Sequence, residues 1–390
     1  MAALKNPALW PIALIVFVDV LGFTVVIPLL PFYAQHLGAT PMLVGALIAT
    51  YALFSLFAAP LLGQWSDRRG RKPVLLLSQA GSLLGFVGLA LAPSLLWLFA
   101  ARALDGLTAG NLPAARAYIS DVTAPADRAA AFGLIGAAFG FGYMVGPALA
   151  ALLAPLGLQA PLWAAAGLAL LSMLCTGALL PRGAAPSAFA AQARTARGEL
   201  LSDPLIVRHL QQLFGFFAAF GLFTAGFALF CERRFEWQGE PFGAFEVGLA
   251  LAHIGALGLL AQVFLLGPLV RRYGEARLVR ACLLLAALGY LGLGWADNLP
   301  LLAACLSLTG VCNSLLRPSL LGLISQAVPA TRQGAVFGLT QSLQSVAMLV
   351  SPLIAGGLIH FGWLAAWAAA CALALLAALV TGRRMRSPHA

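Results

Sequence analysis

Charge is what this 390-residue chain has least of: Asp, Glu, Lys and Arg together make up 9% of it. An ordinary soluble domain carries about 25%. A chain so poor in charge cannot cover itself with a water-facing surface. Catalytic and metal-binding patterns are missing too. The six cysteines, Cys175, Cys231, Cys282, Cys305, Cys312 and Cys371, include no CxxC pair and fall mostly inside apolar runs. They read as small buried apolar residues rather than disulfides or metal ligands. The five histidines form no HxxxH or HExxH pattern, and no GxSxG is present. No enzyme, metal centre or cofactor is therefore expected. No strand precedes the glycines at 133–146, which excludes a nucleotide-binding loop there. The N-terminal apolar stretch is too long for a cleavable signal and contains Asp19.

What the chain has instead is hydrophobicity, at 61% of residues. It comes in repeated runs of about 20 residues, the length of a membrane-crossing helix, and not in alternating ten-residue segments. Twelve such runs, from 8–33 to 363–381 and including 95–118 as the fourth, predict an all-α membrane protein with twelve spans. An even number puts both termini on one side. The basic residues choose that side: they crowd the tails and alternate loops, as at Arg68, Arg69, Arg71, Lys72, Arg271, Arg272, Arg277 and Arg280. The opposite loops hold only Arg233 and Arg234, beside Glu232, Glu236 and Glu240. The positive-inside rule then places both termini in the cytoplasm. The formal charge of +10 is a topology signal with membrane lipid as its partner, not a nucleic-acid surface.

One long polar segment, 181–207, separates six spans from six and reads as a cytoplasmic linker between bundles 1–180 and 208–390. The halves repeat. Arg128-Ala-Ala-Ala-Phe-Gly-Leu134 parallels Arg332-Gln-Gly-Ala-Val-Phe-Gly-Leu339; Pro113 parallels Pro318; Gly146-Pro147 parallels Ser351-Pro352; Gly63 and Gly70 parallel Gly267 and Gly274. Matches in constant order and spacing indicate duplication. Two six-helix halves are a transporter design with the substrate at the midplane.

Ionised groups in hydrocarbon are costly, so those inside the spans need a partner or a task. Asp19 lies mid-span in the first run. Arg102 and Asp105, three residues apart, share a helix face in the fourth. These three are the candidates for proton handling in a central cavity: Arg102 holds one carboxylate ionised while the other exchanges a proton, and the sequence leaves open which. The bland alternatives are a structural carboxylate at Asp19 and a self-neutralising pair at 102 and 105.

The loop Gly63 to Lys72 fits G-x-x-x-D-R-x-G-R-K. With Gly142-Tyr-Met-Val-Gly-Pro147 in span five, and Arg102 with Gly106 in span four, the chain resembles the major facilitator superfamily and its drug:proton antiporters. Asp19-Val-Leu-Gly22, Ile27-Pro-Leu-Leu-Pro31, Ala117-Tyr-Ile-Ser-Asp121 and Leu229 to Trp237 are similar to the tetracycline-efflux class. The resemblance implies the major facilitator fold of two pseudo-symmetric six-helix bundles, alternating access, a usually monomeric protein of the inner membrane, and the proton gradient as energy source. It implies a cytoplasmic gate built from Gly63, Asp67, Gly70, Arg71, Asp121 and Arg128, with Asp67 near the N-terminus of span eleven, where the helix dipole favours a carboxylate. It implies that Gly142, Gly146 and Pro147 form a tight contact with span eight. The tetracycline class carries further acids in spans three and nine, where this chain is small or apolar, around Gly85 and from Ala281 to Gly294.

Asn111, Phe220, His253, Asn313, Gln341 and Gln344 are polar or aromatic candidates for a substrate cavity, or else ordinary interhelical contacts. The phenylalanines of span seven, Phe214, Phe216, Phe217, Phe220, Phe223 and Phe227, are expected mostly to face lipid, with one or two reaching the cavity. The expected function is proton-coupled efflux of lipophilic drug-like compounds, the partners being the small molecule and protons. The alternatives are a major-facilitator transporter of a metabolite or lipid-like solute, in either direction, and a non-transporting membrane receptor.

Overall fold

The computed structural model describes residues 9–123, 128–180, 200–329 and 333–381, apart from the side chains of 120, 128–135, 333–335 and 337. Eleven helices among them are long and apolar enough to cross a bilayer.

The first half runs α1 (Leu9–Val26), α2 (Leu30–His36), α3 (Pro41–Arg69), α4 (Arg71–Ala90), α5 (Leu95–Leu107), α6 (Asn111–Val122), α7 (Arg128–Leu153) and α8 (Ala160–Leu179). The second runs α9 (Pro204–Arg234), α10 (Ala244–Tyr273, with a π-helical turn at Ala261–Leu265), α11 (Glu275–Trp295), α12 (Leu299–Gln326), α13 (Gln333–His360) and α14 (Leu364–Thr381). A two-stranded hairpin, β1 (Glu236–Trp237) and β2 (Glu240–Pro241), joins α9 to α10.

The fourth apolar run departs from the expected single span. It is two helices, α5 and α6, parted at residues 108–110. Pro113 has no amide to give the carbonyl of Ala109, so a continuous helix would lose that bond. The break is held from outside: Gly110 N–H donates to Ser78 Oγ at 3.1 Å. A Cβ on Gly81 would lie 1.9 Å from Thr108 Oγ1, so only glycine admits the turn there. The repeat partner Pro318 sits inside the unbroken α12.

The first run also stops early. α1 ends at Val26, and a separate short helix follows with Pro31 in its first turn. At the other side of the polar segment, α9 begins at Pro204, inside the expected 181–207 linker. Asp203 caps it, accepting from the amides of Leu205 at 2.8 Å and Ile206 at 3.4 Å. Residues 181–199 lie outside the described set.

The chain divides into two compact units, drawn from 1–190 with 243–252 and from 191–242 with 253–390. In the first, α1 packs on α7 and α8, and α4 on α8 and α5. In the second, α9 packs on α13 and α14, and α11 on α14 and α12. Numbered by span, both units pair the first helix with the fifth and sixth, and the third with the sixth and fourth. The duplication read from sequence therefore extends to helix packing. The turn after each half's second span repeats as well: Gly70 has φ +92° and Gly274 φ +77°, a region open mainly to glycine.

The span-seven phenylalanines differ from expectation. Phe216, Phe217, Phe223 and Phe227 are buried within the second unit, and of the set only Phe214 is exposed. Phe223 packs on Phe227 (centroids 4.8 Å apart) and on Tyr290 (5.5 Å), while Phe230 packs on Trp367 (4.9 Å). Gly226 opens the space for Trp367, whose indole N–H donates to Leu222 O at 2.9 Å. Aromatic bulk here fills the bundle core, where it gains more contact than against acyl chains.

Candidate functional site

The candidate charged groups described inside the first bundle fall at three places: Arg102 with Asp105, Asp19 by itself, and Arg71 with Asp67 and Asp121. On α5, Arg102 and Asp105 are both 4% exposed. Arg102 Nη1 pairs with Asp105 Oδ2 at 3.1 Å, and Ser82 Oγ of α4 donates to Asp105 Oδ1 at 2.9 Å. The guanidinium lies 4.7 Å above the ring of Tyr51 from α3. Arg102 Nε is buried with no hydrogen-bond partner. Close helix approach makes the cluster possible. A Cβ on Gly106 would meet Tyr51 O at 2.6 Å, and one on Gly85 would meet Asp105 Cβ at 3.0 Å. The span-three place around Gly85, where the resemblance implied an acid, is thus filled from span four by Asp105.

Asp19 sits half-buried on α1, facing Ser172 of α8 and Gln79 of α4. Gln79 is fully buried and donates through Nε2 to Ser172 Oγ at 2.7 Å and Thr176 Oγ1 at 2.8 Å, leaving its Oε1 unpartnered. Among the described residues Asp19 has no ion pair. Tyr51 lies within electrostatic range of Asp105, Arg102 and Asp19.

The span-five glycines seat the helix that carries Asp19. A Cβ on Gly142 would lie 2.5 Å from Val20 Cγ1, and one on Gly146 2.0 Å from Thr24 Oγ1. Thr24 Oγ1 donates to Gly142 O at 2.8 Å. The contact with span eight is made one step further along. A Cβ on Gly248 would meet Pro147 O and Ala151 Cβ, both at 2.8 Å. The motif therefore faces two helices, with its glycines toward span one.

At the other charged cluster, Arg71 is 6% exposed and lies between two carboxylates. Its Nη1 meets Asp67 Oδ1 at 2.5 Å and Ser66 Oγ at 3.1 Å, and its Nε meets Asp121 Oδ2 at 2.7 Å. Gly70 makes the turn between α3 and α4 and Gly63 has open space around it. Lys72 closes the C-terminal end of α8, donating to Gly177 O at 2.8 Å and Leu180 O at 2.5 Å. Arg128 opens α7, but its side chain lies outside the described residues.

The other candidates are scattered. Asn111 heads α6, with a buried and unpartnered Oδ1. Phe220 is half-buried and stacks on Phe216 at 6.1 Å. His253 is exposed and bonds Ser307 Oγ at 2.8 Å. Asn313 Nδ2 donates to the Tyr290 hydroxyl at 2.7 Å, and Gln341 and Gln344 are half-buried on α13. Sequence reasoning missed Tyr51, Gln79, Ser82 and Ser172. Gln79 and Ser82 carried a signal, being polar residues three apart in an apolar run; Tyr51 carried none.

Acids held inside a duplicated helical bundle define a polytopic membrane transporter. The chain belongs to the Major Facilitator Superfamily, whose family profile matches residues 12–265 and 235–390. It is 35% identical to the class C tetracycline resistance protein of Escherichia coli, over 90% of this chain and 89% of that one. It is 31% identical to the class G tetracycline resistance protein of Vibrio anguillarum, over 87% of each. In fold it matches the crystal structure of the human organic anion transporter MFSD10 with TM-score 0.71 at 22% identity, over 97% of this chain and all of that one.

Proposed function

We propose that this chain exports lipophilic drug-like compounds in exchange for protons, with Asp19 as the proton carrier and the Arg102–Asp105 pair as its fixed electrostatic partner. The observation that carries the reading is the difference between the two acids. Asp105 is held by a permanent cation at 3.1 Å and a hydroxyl at 2.9 Å. Asp19 has no ion pair among the described residues, and the side chains that bear on it, Ser172 and Gln79, are neutral. A carboxyl without a counter-ion changes its charge at less cost than one locked to arginine. Relatedness to tetracycline resistance proteins along most of the chain supports efflux as the direction.

In this reading residues 1–180 and 208–390 are the moving halves of an alternating-access cycle, the proton gradient is the energy source, and no cofactor or catalytic step is involved. The protein works as a monomer in the inner membrane with both termini in the cytoplasm, which the crowding of arginine into alternate loops supports. Asp67, Arg71 and Asp121 stabilise one end state.

The test is transport in proteoliposomes under an imposed pH gradient, with a panel of lipophilic compounds. Gradient-dependent movement that disappears in a folded Asp19→Asn variant is expected. Movement indifferent to the gradient makes the protein a facilitator, and unchanged coupling in Asp19→Asn removes that residue from the mechanism.

A further inference from the structure

The second unit carries a basic groove apart from the charged groups described above. Arg277 and Arg280 on α11 line a cavity of about 290 Å³ with Ala281, Leu284 and Leu379, the last from α14. Both arginines are exposed, and neither has an ion pair among the described residues. Arg280 Nε reaches only Ala276 O of its own helix, at 3.3 Å. The adjacent acid, Glu275, accepts from Gln326 Nε2 at 2.8 Å and forms no ion pair with either arginine among the described residues.

The same helix face continues as an apolar stripe. Positions 277, 280, 281, 284 and 288 fall at the spacing that aligns residues along one side of a helix. Leu284 is 44% and Leu288 51% exposed, on a helix long and apolar enough to cross a bilayer. Two unpaired cations at the helix end, followed by exposed leucines toward the bilayer centre, match one kind of molecule: an anionic headgroup with an attached acyl chain. Guanidinium groups hold phosphate oxygens in paired hydrogen bonds, which makes arginine suited to this head. A free phosphate would leave the leucine stripe without a role.

We infer that the groove between α11 and α14 is a binding site for an anionic phospholipid, its phosphate held by Arg277 and Arg280 and one acyl chain lying along Leu284 and Leu288. The full chain, purified in detergent, is titrated with phosphatidylglycerol, with phosphatidylcholine of the same acyl chains, and with inorganic phosphate, and bound lipid is read by native mass spectrometry and melting temperature. Phosphatidylglycerol is expected to bind and raise the melting temperature, with the other two well behind. In Arg277→Gln/Arg280→Gln its affinity is expected to fall by about a hundredfold, about tenfold for each charge-assisted hydrogen bond to the phosphate that is lost. Arg271→Gln/Arg272→Gln removes the same charge nearby and is expected to leave the affinity within about threefold of native. Equal loss in both double variants means diffuse attraction and overturns the site. So does equal binding of phosphatidylcholine, or an inorganic phosphate effect as large as that of the lipid.

Discussion

Replacing Asp105 and Asp19 by asparagine separates a structural acid from a working one. Both changes keep the side-chain shape and remove one charge, yet the surroundings make them unequal. Arg102 is 4% exposed and has Asp105 as its ion-pair partner. Its Nε already lacks an acceptor. Asp105→Asn therefore leaves a guanidinium buried and unpaired, a defect worth about 3–5 kcal/mol. At about 1.4 kcal/mol per tenfold, the folded-to-unfolded ratio falls by about two to three and a half orders of magnitude. Asp19→Asn strands no cation, and it keeps a polar amide beside the neutral Ser172 and Gln79. Its cost should stay under about 1 kcal/mol, the net worth of an ordinary hydrogen bond. Thermal unfolding in detergent should show a large drop for Asp105→Asn and little change for Asp19→Asn, while gradient-driven transport is lost in Asp19→Asn. The double change Arg102→Met/Asp105→Leu should recover most of the lost stability, because a buried ion pair exchanged for apolar groups is often neutral. The reasoning fails if Asp105→Asn melts with the native protein, or if Asp19→Asn is destabilised as much.

Gly146→Ala places a methyl 2.0 Å from Thr24 Oγ1 and should cost about 1–3 kcal/mol through overpacking. The loss should shrink in the Thr24→Gly background, as a double-mutant cycle of melting temperatures would show. Gly70→Ala forces a side chain into φ +92°, at about 1–3 kcal/mol; a melting curve matching native would contradict this. Arg71→Gln leaves Asp67 and Asp121 without their shared cation and should destabilise more than Asp67→Asn, which keeps the Asp121 pair; the reverse order by thermal unfolding would be inconsistent with the geometry. Asp67→Asn is also expected to shift the resting population toward the inward-open state, read by cysteine-accessibility labelling on both faces.

Much of the fold was legible because membrane helices report themselves by composition alone. The twelve runs, the duplication and the glycine turns at 70 and 274 all follow from residue types at fixed spacing. The break in span four was less legible. Pro113 and Pro318 look alike in sequence, yet only the first interrupts a helix, because Gly81 and Ser78 on a neighbouring helix receive the displaced turn. The span-seven phenylalanines misled for a related reason: hydropathy scores lipid and bundle core as the same apolar medium. Gln79, Ser82 and Ser172 escaped notice because a hydroxyl or amide in a span has many uses, and only its neighbours select one.

The sequence by itself determined that this chain crosses a bilayer repeatedly, that its halves are copies and that Asp19, Arg102 and Asp105 needed a reason to be there. Those are matters of solvation cost, which every residue carries wherever it sits. The Arg102–Asp105 pair lies on one helix and was within reach of the sequence. The tertiary structure decided that Asp19 stays out of that pair and lies beside the neutral Ser172 and Gln79, because that depends on how helices far apart in sequence approach, at Gly85, Gly106, Gly142 and Gly146 through the absence of a side chain.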